Sequence, residues 1–318
     1  MSPALANLAH ELNLKISGAA EYCVTIIEPL ELCHNLLTIC FRDLQRTVFK
    51  EAIPAQDEVL QAVLHAVGRP QTRHAIITRW AVSSIAILQA FCSCNNIVSL
   101  SLTVPEWTEA IHIGDSFHVS LLSLKRLALS MRHFDVLAAH ILCQCPLLDE
   151  VALSIRRLAD PHTLMEVLTM HQRELRRLYL FLNGEGVLKH RFFMDQYAPR
   201  FTSLTHLHCS VLTYGCTLFD GRLPRSVCSL VVEAIDAAGV NRRGDDPTFK
   251  FSYAKAVEFV LQCKKEGRLL WQFFITGVSE GEQGSSELQV VCDSAGMELR
   301  FTKVLTLNNL RNSLPCFH

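Results

Sequence analysis

Apolar residues recur along the chain in short phrases of the form apolar-x-x-apolar-x-apolar. Six of them read Ile97-Leu100-Leu102, Leu124-Leu127-Leu129, Leu148-Val151-Leu153, Leu175-Leu178-Leu180, Leu204-Leu207-Cys209 and Val227-Leu230-Val232. Their middle members are 27, 24, 27, 29 and 23 residues apart. Three fixed apolar positions match by chance at roughly one site in eight in so apolar a chain, so the phrase alone says little. The steady interval says more, because repeats of about 20 to 29 residues are the signature of stacked strand–helix units.

Between the phrases the period changes. Phe134 to Leu142 and Thr163 to Leu168 place apolar groups at three- and four-residue steps, as a helix lying on a core does. The phrases themselves alternate with period two, as strands do. Fainter copies extend the pattern. Leu12-Leu14-Ile16, Ile39 with Phe41, His74 to Ile77 and Leu270-Phe273-Ile275 read as strands, and Glu58 to Ala66 and Tyr253 to Lys264 read as helices.

This reading predicts a repeat domain over residues 1–276, irregular at 42–73 and at 233–247. Residues 277–318 form a cap and tail. There Leu288–Cys292 and Glu298–Val304 flank Ser294–Met297, which reads as a β-hairpin or as one further strand plus a cap.

Cysteines mark the same register. Phe91-Cys92-Ser93-Cys94-Asn95-Asn96-Ile97 and Leu142-Cys143-Gln144-Cys145-Pro146-Leu147-Leu148 are one phrase written twice, and Leu32-Cys33-His34-Asn35-Leu36 repeats it. In each, a cysteine closes the helix three residues before the first apolar strand position. This resembles the cysteine-containing leucine-rich repeats of the ribonuclease-inhibitor-like superfamily, especially those of F-box proteins.

The resemblance implies a right-handed α/β solenoid, with a curved parallel sheet on the concave side and helices on the convex side. It also implies a protein-binding scaffold, the substrate-recognition part of an F-box-type ubiquitin ligase adaptor. In that family an F-box module docks on the adaptor of a cullin ubiquitin ligase while the repeats hold the target. The family's Leu-Pro-x-Glu opening and downstream tryptophan are not found in this sequence. The alternative is a stand-alone leucine-rich-repeat interaction or regulatory protein without a ubiquitin role.

Composition narrows the partners. With 30 basic and 31 acidic side chains the formal net charge is -1, so the basic footprint that phosphate backbones demand is missing and nucleic acid is not expected. The first fourteen residues lack a positive region followed by a long apolar run, and the longest mostly apolar stretch, Trp80 to Cys92, is too short for a bilayer span. An intracellular protein, cytoplasmic or nuclear, with no membrane association is therefore expected. In that setting the 13 cysteines read as reduced thiols rather than a disulfide framework.

No enzyme motif completes itself, and no catalytic residue or cofactor is expected. His206 and His208 stand two apart on one strand, so they share a face and form the best metal candidate, with Tyr179 and Glu233 nearest by register. A plain binding surface is the preferred reading, with no metal. Cys33, Cys94, Cys145 and Cys209 fall at apolar repeat positions, where cysteine acts as a small buried hydrophobe. Cys40 and Cys216 are less constrained by the repeat.

If the apolar members of each phrase point inward, the residues between them line the concave face and hold the protein target. That assigns Arg126, Glu150, Arg177, Tyr179, Phe181, His206 and His208 to the partner-binding surface, beside Ser99, Ser101, Thr103, Ser130 and Ser154. Arginine and aromatic side chains are enriched at binding hot spots, so Arg177, Tyr179 and Phe181 on one strand, beside His206 and His208, are its expected centre. On this reading, replacing Arg177 and Tyr179 by alanine weakens binding and shifts the melting temperature by no more than a few degrees.

Overall fold

Every apolar phrase above becomes a parallel strand in the computed structural model. The structure describes residues 11–16, 33, 35–43, 65–78, 95–104, 121–134, 136–182, 192–211, 213–234, 251–277 and 284–302. The stretch Trp80 to Cys92, the cysteine pair Cys92/Cys94, most of the Glu58 to Ala66 helix and the insertion after Ala234 lie outside the described residues. The chain falls into two compact units, 1–148 and 149–318.

In the first unit five strands stand in chain order: β1 (Glu11–Ile16), β2 (Thr38–Asp43), β3 (His74–Thr78), β4 (Ser99–Val104) and β5 (Arg126–His133). Each pairs in parallel with the next. Ile39, Ala75, Leu100 and Leu127 meet in one register line and are buried. The turns leading into these strands are tied to one another by side chains. Thr72 donates its hydroxyl to the carbonyls of Ala66 and Leu36, and the Asn96 amide donates to the Thr72 carbonyl at 2.7 Å. Helix α1 (Val136–Cys143) follows β5, and the Cys145 thiol beyond it donates to the Ile141 carbonyl.

The second unit repeats the plan with six strands. They are β6 (Glu150–Arg157), β7 (Arg177–Leu182), β8 (His206–Cys209), β9 (Ser229–Glu233), β10 (Gln272–Thr276) and β11 (Glu298–Thr302). All neighbours are parallel and in chain order. Val151, Leu178, Leu207, Leu230 and Phe273 form one buried register line, and Leu153, Leu180, Cys209, Val232 and Ile275 form the next. Each such side chain contributes about 1.5–3 kcal/mol of apolar burial, so these two lines are the spine of the unit.

Helices fill the connections: α2 (Pro161–Thr169), α3 (Phe193–Tyr197), α4 (Tyr253–Lys265) and α5 (Ser285–Ser294). Asp160 caps α2 by accepting from the His162 N–H at 2.9 Å, with Pro161 in the first turn where its missing N–H costs nothing. Ser252 caps α4. Gly267, at φ 63°, ends α4 in the left-handed conformation, and the Arg268 N–H then reaches back to the Cys263 carbonyl. The Phe259 ring of α4 meets Phe273 of β10, so this helix lies on the leucine side of the sheet.

Leu288–Cys292 is not a hairpin strand but part of α5, and β11 pairs in parallel with β10. The run Leu-Gln-Val-Val-Cys satisfies both periods, and the helical one wins. Leu288 and Cys292, four apart, are both fully buried, while Val290 is exposed. The alternative of one further strand therefore holds.

The fold is thus α/β with parallel strands. Among the described residues no helix is long and apolar enough to cross a membrane.

Candidate functional site

Opposite the leucine lines, the strands of the second unit present three other register lines. The first joins the opening residue of every strand: Glu150, Arg177, His206, Ser229, Gln272 and Glu298. All six are polar, and side-chain bonds run along the line at both ends. Arg177 donates to Glu150 at 2.9 Å, Ser229 donates to Gln272 at 3.1 Å, and Gln272 donates to Glu298 at 3.1 Å. The second line runs Ala152, Tyr179, His208, Val231, Phe274 and Arg300. The third sets Ser154 beside Phe181, and Thr276 between Glu233 and Thr302.

Four of the residues expected on an exposed surface are buried instead. Tyr179 is 4% exposed, Phe181 2%, His208 0% and Glu150 1%. Ser101 of the first unit is buried as well. The physical reason is that alternation decides which face a side chain takes, not whether water reaches that face. Parallel sheets are ordinarily covered on both faces, and strands about 4.8 Å apart let wide side chains bury one another.

The Phe181 and His208 rings lie 4.2 Å apart between centroids. Nε2 of His208 stands 3.4 Å from the Glu233 carboxylate, and the Glu233 carbonyl accepts from the buried Tyr214 hydroxyl. This middle zone is interior.

Arg177 and His206 in the second unit, and Arg126 in the first, remain partly exposed. Arg126 opens β5 and continues the line of Glu11, Thr38, His74 and Ser99, which is polar like its counterpart in the second unit. Of the charged, aromatic and histidine side chains assigned to the predicted surface, the partly exposed ones, Arg126, Arg177 and His206, all stand at strand openings. Ser229, Gln272 and Glu298 belong to that line and were missed. Carrying the register of Val227-Leu230-Val232 and Leu270-Phe273-Ile275 one residue back from the middle apolar position finds the first two.

His206 and His208 share a face, as expected, but differ in environment. Burial and then the Arg177 charge hold His206 below the usual histidine value of 6.5, and Thr205 hydroxyl and His206 Nδ1 are 2.9 Å apart. A histidine depressed in the folded state favours folding while it stays neutral. That contribution is complete above its unfolded value and is lost as pH falls through the folded one. In an NMR titration His206 is therefore expected to titrate below 6.5, and Arg177→Ala to move its midpoint upward. An unchanged midpoint in the variant would remove Arg177 as a cause.

Among the described residues, no group of three or more His, Cys, Asp or Glu side chains is placed to hold a metal ion. Cys33, Cys145 and Cys209 are buried, in keeping with their apolar repeat positions, and Cys94 lies outside the described residues. Cys40 is buried and Cys216 is exposed. Burial pushes the thiols up, Cys145 and Cys292 to about 12 and Cys263 to about 11, which keeps them protonated and poor nucleophiles.

A second polar centre joins α3 to the loop after β8. Asp195 accepts the Gly215 N–H at 2.8 Å and the Thr217 hydroxyl, and the Met194 N–H donates to the Thr213 carbonyl. A Cβ on Gly215 would stand 2.9 Å from the Asp195 carboxylate and 3.1 Å from the Phe192 ring, so any other residue there has to push one of these side chains aside. This centre had no sequence signal, because its parts are 20 residues apart and follow no period.

No protein-family model matches the chain, and no curated protein matches it.

Proposed function

We propose that the chain is a non-enzymatic, protein-binding scaffold built as a right-handed leucine-rich-repeat solenoid. The strand–helix units supply rigid register lines of polar side chains, a recognition surface rather than a reaction centre. The observation that carries this reading is the polar line at the strand openings. It repeats from unit to unit on a buried leucine spine. Burial pushes the thiols of Cys145, Cys263 and Cys292 up, which suits these three to packing rather than to nucleophilic attack. The cysteine phrases that resemble F-box-associated repeats extend the proposal to the substrate-recognition part of a ubiquitin ligase adaptor, working inside the cell.

Affinity purification of the tagged chain with quantitative mass spectrometry tests both levels. Recovery of the cullin adaptor at near-equal amount, with further proteins as targets, is the expected result. One different protein in equal amount would leave a free-standing scaffold and end the ubiquitin reading. Recovery of no protein in stoichiometric amount would end the scaffold reading as well.

A further inference from the structure

The connections entering β7, β8, β9 and β10 share an edge of the second unit. The residue just before each strand continues the ladder: the Arg176 N–H donates to the Asp149 carbonyl, Thr205 to Arg176, Cys228 to Thr205 and Trp271 to Cys228, all at 2.8–2.9 Å. Arg176 and Trp271 are thus three strand spacings apart, about 14 Å, on one line. Arg173 and Arg225 occupy equivalent slots, each four residues before the opening of its strand.

Charge gathers at this edge. Residues 170–176, 198–205, 216–228 and 264–271 hold eight lysines and arginines against three acids, in a chain whose formal net charge is -1. Two of the acids are already engaged, Asp220 by Lys255 and Glu266 by Arg268. Arg173, Arg176, Arg200 and Arg225 are exposed. Beside them Leu269 is 78% and Trp271 47% exposed, two large apolar groups two residues apart.

We infer that this edge is a docking surface for an acidic segment of a partner protein, one with carboxylates to meet the arginines and an apolar side chain to cover Trp271. The inference rests on the protein-binding reading above and moves its contact surface from the polar line at the strand openings to the connections that lead into them. Arginine forks match carboxylates in bidentate pairs, and a tryptophan among arginines is the composition of an interface anchor. The acids interleaved with the bases disfavour a continuous run of phosphates, whether nucleic acid or lipid headgroups.

The test uses the full chain and a fluorescent peptide of about twenty residues, the scale of one interface side, rich in Asp and Glu with two Phe. Its controls are a serine-glycine peptide, oligo-dT of similar length, and phosphatidylcholine–phosphatidylserine vesicles. Anisotropy is expected to show salt-sensitive binding of the acidic peptide alone. Arg173→Glu with Arg176→Glu and Arg225→Glu weakens it about tenfold or more. Trp271→Ala also weakens it, and none of these changes alters the melting temperature by more than a few degrees.

No binding by the unaltered chain, equal binding by the triple variant, or preference for oligo-dT or vesicles overturns the inference. Should the triple variant unfold, Arg173→Gln with Arg225→Gln replaces it, with the same expectation in direction. The triple variant also enters the affinity purification. A partner recovered equally by both chains sinks the edge but keeps the scaffold, whereas no partner for either sinks the scaffold itself.

Discussion

Phe181→Ala is expected to lower the free energy of unfolding by about 3–5 kcal/mol, the usual loss for removing a buried aromatic ring. The ring is 2% exposed and lies against His208, so its removal leaves a cavity bordered by a polar imidazole whose neighbour is Glu233. Tyr179→Ala belongs to the same class, since that side chain is 4% exposed. For a unit of this size the melting temperature falls by roughly 10 °C. Arg176→Ala, at an exposed position of the adjacent connection, changes stability by about 0.5 kcal/mol or less.

Denaturant titration followed by circular dichroism measures all three. A melting temperature for Phe181→Ala within a few degrees of the unaltered chain would place the ring in solvent. The surface first expected from the sequence would then be restored. The consequence for binding work is practical: loss of a partner in the Tyr179 or Phe181 variants reports damage to the sheet, whereas loss in the Arg173 or Arg225 variants reports contact.

The contrast shows what a repeat sequence encodes. Leu178 and Leu180 were legible because three apolar positions recur at a fixed interval, and register lines in a parallel sheet are that interval seen in space. The face taken by Tyr179 and His208 was legible for the same reason. Their burial was not, since it depends on side chains of other strands, such as Phe181 against His208 and Glu233 beside Thr276. Leu288–Cys292 failed differently: five residues with three apolar neighbours satisfy period two and period 3.6 at once, and only the packing of Leu288 and Cys292 decides. The basic edge escaped because Arg173, Arg200 and Arg225 are scattered in sequence and gather only when the strands stack. A net charge near zero hides such a local excess.

Asp195→Ala is expected to cost about 2–3 kcal/mol, because the Gly215 N–H loses a charged acceptor in a buried place. The Thr217 hydroxyl loses its partner too, and of the bonds between α3 and the loop that leaves β8 described above, the Met194 N–H to Thr213 carbonyl bond stays. Asp195→Asn is expected to be much milder, since its carbonyl still accepts from Gly215 and the Thr217 hydroxyl can turn to accept from the amide.

The two forms also separate by pH. Burial raises the Asp195 carboxyl above its usual 3.8, outweighing the hydrogen bonds from Gly215 and Thr217 and the nearby Arg222 charge. An acid whose value is raised by folding holds its proton longer in the folded state. Its contribution is complete below the unfolded value and is lost as pH rises through the folded one. The unaltered chain is therefore expected to lose stability relative to Asp195→Asn as pH climbs from about 4 toward neutrality. Parallel denaturant titrations of the two chains across that range measure the difference directly. A difference that stays flat, or that grows in favour of the aspartate, would mean that the hydrogen bonds and Arg222 dominate and the carboxylate is at home as an anion.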